Sequence, residues 1–223
     1  MLKKVAWMAA ALTLVTAPSV LAQEHRGEVG FNIGWSFQDG VDGQAVRALD
    51  GNTYDRIDPK DSFKWGFNGA ALIGPNAEVG FMFMQAPTTL EAGGTATREI
   101  GDMTINNYHG YFGYNFFDAE VKARPYIFAG FGATHFGSVN YTRINNETGT
   151  IGGETQFSTT WGAGVKVFTG PNFGVKVGAQ WTPVYIKSDS AGWWCDPWWG
   201  CYVVGDAKYA NQFDFTGGVT FRF

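Results

Sequence analysis

From Phe213 onward the chain alternates strictly. Phe213, Phe215, Gly217, Val219, Phe221 and Phe223 fall on one side of an extended strand, with Asp214, Thr216, Gly218, Thr220 and Arg222 on the other. Because successive side chains in a strand point to opposite faces, this is a ribbon with one greasy face and one polar face. The same period recurs between residues 26 and 38, where Val29, Phe31, Ile33, Trp35 and Phe37 oppose Glu28, Gly30, Asn32, Gly34 and Ser36. It recurs again in Phe63 to Ile73, Ala77 to Gln85, Met103 to Phe116, Gln156 to Phe168 and Phe173 to Lys187.

A further strand, Arg124 to Phe136, carries aromatics on both faces, and its glycines, Gly130 and Gly132, are assigned inward, where space is scarce. Pro183 cannot donate to a ladder, so a bulge or an early end of pairing is expected beside it. Eight strands result, joined in turn by long polar connections (Asp39 to Ser62, Ala86 to Gly101, Gly137 to Glu154, Ser188 to Lys208) and by short turns. Two of the short turns repeat Gly-Pro-Asn, at Gly74-Pro75-Asn76 and Gly170-Pro171-Asn172. These residues suit tight turns because Pro presets φ while Gly and Asn tolerate its positive range.

Long connections on one side and short ones on the other fit an eight-stranded antiparallel up-and-down barrel that crosses a membrane. A soluble barrel of lipocalin type would alternate in the same way but turn its apolar face inward. Composition favours the membrane: 17% of residues are aromatic and 31 are glycine, yet no stretch after the leader approaches the length of a spanning helix. In hydrocarbon every backbone group must be satisfied, so the eighth strand has to close on the first.

The ending FDFTGGVTFRF, with Phe221 and Phe223 on its apolar face, resembles the C-terminal signature of bacterial outer-membrane β-barrels. The chain as a whole is similar to the small OmpA-type and opacity-type barrels. That resemblance implies residence in the outer membrane, contact with its lipid, and an assembly signal at Phe221 and Phe223 read by the barrel-assembly machinery. It also implies a non-enzymatic structural or surface-interaction role, or alternatively a narrow channel for small or hydrophobic solutes. The chain stops at Phe223, so the peptidoglycan-binding domain of the larger OmpA-type proteins is not expected here.

Residues 1–22 have the form of a cleaved signal peptide: Lys3 and Lys4, a short apolar core from Val5, and Val20-Leu21-Ala22 before Gln23. Residues 23–223 would form the barrel. Loss of the two lysines takes the net charge from −4 to −6, which argues against nucleic acid as a partner.

If the apolar face meets lipid, Glu28, Lys64, Glu78, Lys166, Lys176, Asp214 and Arg222 face the lumen. Charges of both signs there require pairing. Glu28 and Arg222, on neighbouring first and last strands, are one candidate pair. Eight strands leave room for side chains and little else, which disfavours a general porin.

No cofactor or metal is expected, since His25, His109 and His135 are scattered. His135 and Ser138 invite comparison with a hydrolase, but three residues apart on a strand they would face opposite ways. Cys195 and Cys201 lie in one connection of an exported chain, where a disulfide is the default. Trp193, Trp194, Trp198, Trp199 and Tyr202 surround them. This cluster is either a rigid knob for an unidentified extracellular ligand or a set of rings resting at the membrane interface.

Overall fold

The computed structural model describes residues 26–47, 51–117, 121–142, 148–186, 195–196, 200–201 and 208–223. Eight strands form the barrel wall: β1 (Gly27–Gln38), β4 (Ser62–Leu72), β5 (Ala77–Gly94), β6 (Arg98–Asn115), β7 (Ala123–Phe136), β10 (Glu154–Phe168), β11 (Phe173–Ile186) and β14 (Lys208–Arg222). Each pairs antiparallel with its neighbour. The ring closes between β1 and β14, where Glu28 lies opposite Arg222 and Phe37 opposite Phe213.

The greasy face points out. Phe31, Phe67, Phe81 and Phe221 are each about half exposed and Val177 more so, whereas the seven charged side chains assigned to the lumen are turned inward. This polarity belongs to a membrane barrel, since an aqueous one would invert it. In β7 the even positions face inward, taking Tyr126 and Phe128 into the lumen with Gly130 and Gly132. These rings fit because they lie on glycines: a Cβ at Gly164 or Gly178 would stand 2.7 or 2.8 Å from the Tyr126 hydroxyl oxygen.

Two sequence expectations are corrected and a third is met in part. Ala86 to Gly101 is not a loop. Strands β5 and β6 run on through it for 18 residues each and turn at 95–97. Alternation persists there, with Ala86, Thr88, Leu90 and Ala92 buried, but the opposite face is polar because it has left the hydrocarbon.

Asp39 to Ser62 likewise contains a hairpin, β2 (Val41–Arg47) and β3 (Thr53–Pro59). Its second strand pairs with the upper part of β5, continuing the wall where β4 has ended.

Beside Pro183 there is no bulge, and pairing of β11 with β14 continues in one register to Ile186, but on the β10 side continuous pairing stops at Trp161↔Trp181 and only Ser158↔Val184 follows, so the expected early end of pairing is met on that side alone. Further hairpins rise from the same end as the long connections: β8 (Val139–Thr142) with β9 (Thr148–Ile151), and β12 (Cys195–Asp196) with β13 (Gly200–Cys201).

Candidate functional site

From the short-turn end, which is periplasmic in barrels of this kind, the lumen is built in layers. In the lowest layer the inward positions of β1, β5 and β10 bring Glu28, Glu78 and Lys166 together. The Lys166 ammonium lies 2.8 Å from each carboxylate, and Asn115 Nδ2 donates to Glu78 at 3.1 Å. Glu28 thus has a partner from across the lumen, and Arg222 is its neighbour in register.

Arg222 stacks over Phe168, 3.4 Å from the ring centroid, and donates to the carbonyl of Pro171 at 3.2 Å. Arg124 behaves similarly. Sequence reasoning missed it as a lumen residue, yet it is 1% exposed and donates to the carbonyls of Phe117 and Pro75. Its even position in β7, two before Tyr126, was the available signal. The two guanidiniums therefore tie down all three short turns.

Above this layer Lys176 donates to Asn68 Oδ1. Asn32 Nδ2 reaches the same oxygen at 3.2 Å, and Asn68 Nδ2 donates to Tyr111 Oη at 3.3 Å. A further polar layer centres on Lys64 and Asp214, which are 2.6 Å apart and wholly buried. Ser36 donates to Asp214, Asn107 Nδ2 to Gln212 Oε1 at 2.9 Å, and Thr134 lies 2.9 Å from both Asn107 and Ser158. His109 Nε2 closes the chain at 2.8 Å from Ser158 Oγ. Side chains that cannot be hydrated must look to one another for partners, and this network links them across the barrel, leaving His109 Nδ1 and Gln212 Nε2 as its buried polar atoms with no protein hydrogen bond.

Toward the exterior the lining turns apolar. Ala86, Leu90, Met103, Ile105, Phe136, Val184, Ile186 and Ala210 form one buried cluster, joined by Val41 from the β2 hairpin and Val139 from the β8 hairpin. The β2–β3 and β8–β9 hairpins are thereby seated on a common core.

Around the rim Arg56 is ion-paired with Asp39 and Asp58, each at 2.7 Å, and Lys60 with Glu91 at 2.7 Å and with Glu99. Hydrogen bonds donated to Asp58, opposed in part by desolvation, hold the Arg56 guanidinium above its ordinary pKa. Those that Lys60 donates to Glu91 and Glu99 raise its ammonium likewise.

The His135 and Ser138 idea gains nothing from the geometry. His135 Nδ1 lies 2.9 Å from Thr155 Oγ1, while the His109–Ser158 contact is sealed in the lumen. Among the described residues no cluster of three His, Cys, Asp or Glu could hold a metal. Phe221 faces lipid, and the Phe223 ring lies against Gly27, 2.7 Å from where a Cβ would stand. In the fourth exterior connection Cys195 is placed directly opposite Cys201. The five aromatics Trp193, Trp194, Trp198, Trp199 and Tyr202, like residues 1–22, lie outside the described residues.

The family model for the outer membrane protein beta-barrel domain matches residues 8–223. No curated protein matches significantly. Among solved structures, Neisserial surface protein A superposes with a TM-score of 0.54 at 12% identity, covering 88% of this chain and 97% of that one. OprG of Pseudomonas aeruginosa gives 0.53 at 11% identity, covering 89% and 97%. The outer membrane protein AlkL gives 0.53 at 12% identity, covering 93% and 95%. At these identities the likeness is one of fold.

Proposed function

The chain belongs to the outer membrane protein beta-barrel domain family and resides in the bacterial outer membrane, and from that premise we propose a non-enzymatic structural or surface-interaction protein that presents its exterior hairpins to the outside. The observation that carries this is the obstructed lumen: crosslinked polar layers with an apolar cluster above them, which the β2–β3 and β8–β9 hairpins share as their base. Among the described residues this packing leaves little room for a hydrated solute to pass. In planar bilayers the purified protein should stay silent under voltage. Steady conductance well above background would instead favour the narrow-channel reading, for which the apolar exterior mouth suits a hydrophobic solute.

The ligand would be met by the exterior hairpins, with the Trp-rich fourth connection as either contact surface or interfacial anchor. Biogenesis would pass through the barrel-assembly machinery by way of Phe221 and Phe223. Directly opposed residues of an antiparallel pair have Cα atoms about 4.5–5.5 Å apart, within the span of a disulfide. A Cys195–Cys201 bond is therefore part of the proposal. Intact-mass measurement without reductant should give a chain that begins at Gln23 and is two hydrogens lighter than its sequence. Two free thiols would remove the crosslink from the account.

A further inference from the structure

On the lipid face near the periplasmic end, the wall is indented. At one height the register places Phe81 beside Gly69, Gly69 beside Val29 and Val29 beside Phe221. One step toward the exterior, Phe67 and Phe31 stand side by side. Rings thus rise around a floor made by Gly69 and Val29. The shallow apolar hollow between them, open toward lipid, has a volume of about 560 Å³ and is almost without polar surface.

The fold does not need glycine at the floor. Position 69 has no positive φ, and a Cβ there would meet nothing within 4 Å. Glycine is among the poorest strand residues, so an ordinary lipid-facing site would carry a larger side chain. Exposed Arg26 heads β1 at the foot of the same strand pair, its carbonyl accepting from the Leu72 N–H at 2.9 Å.

We propose that this hollow is a phospholipid site, in which one acyl chain lies over Gly69 between the Phe67, Phe31 and Phe81 rings while the phosphate meets Arg26. The periplasmic position selects a lipid of the inner leaflet. Apolar burial supplies the hold on the chain, and the cation at the foot of the strands supplies the polarity of docking. The site is independent of the exterior role proposed above, and it serves the barrel from its opposite end.

Barrels extracted from outer membranes in mild detergent would be examined by native mass spectrometry. The wild type should retain a phospholipid adduct. Gly69→Leu should cut that adduct at least about fourfold, the factor for a single buried methylene. Phe81→Ala, which removes a wall without filling the floor, should also weaken it. Gly217→Leu, at another lipid-facing glycine whose Cβ would meet only a backbone oxygen at 3.9 Å, should leave it unchanged. Heat-modified migration on gels verifies that each variant is folded. An absent adduct, an adduct of lipopolysaccharide, one that survives both Gly69→Leu and Phe81→Ala, or an equal loss in Gly217→Leu would each overturn the proposal.

Discussion

Replacing Lys166 by Met should destabilise the barrel by about 3–5 kcal/mol, the range for removing one partner of a buried ion pair. Both Glu28 and Glu78 lie 2.8 Å from its ammonium, so the substitution leaves two carboxylates facing each other where water cannot spread their charge. Urea unfolding from lipid vesicles at neutral pH measures the loss. The triple variant Lys166→Met, Glu28→Gln, Glu78→Gln should recover much of it, because neutral groups of similar shape carry little desolvation penalty. A single variant as stable as the wild type would mean that the lower lumen is wet and that the layered description of it is wrong.

The second large effect is steric. A Cβ at Gly164 would stand 2.3 Å from the Val177 carbonyl oxygen, which is backbone, and 2.7 Å from the Tyr126 hydroxyl oxygen. Tyr126 could swing away, but the carbonyl could not without disturbing the β10–β11 ladder. Gly164→Val should therefore cost at least the roughly 1–3 kcal/mol of overpacking in a filled interior. The fraction that reaches the compact, heat-modifiable form should drop. Pairing it with Tyr126→Ala should restore part of the loss, and failure to restore any would place the whole conflict in the backbone.

Most of the wall was legible in the sequence because membrane and lumen impose opposite demands on alternate residues. Phe213 to Phe223 and Val29 to Phe37 state those demands without interruption. Legibility faded where one demand was lifted. Beyond Gln85 the outer face of β5 leaves hydrocarbon and becomes polar, so Thr88 and Leu90 read as loop in the sequence although their inward spacing persists.

Tyr126 and Phe128 blurred the register of β7 for the converse reason: a lumen ring is acceptable when the facing strand supplies glycine, and that pairing is not local in sequence. Charge partners were legible as a set, and the pairs across the lumen were not. Glu28 and Arg222 are neighbours in register, and inward side chains also meet across the barrel according to how the strands are staggered, which brings Lys166 to Glu28.

The two longest strands have a consequence for reach. Strands of 18 residues extend about 60 Å along their own direction. Inclined at about 45°, they rise roughly 40 Å, against an apolar band about 25 Å tall. The bend at Thr95, Ala96 and Thr97 is therefore carried well clear of that apolar band on a stiff paired ribbon.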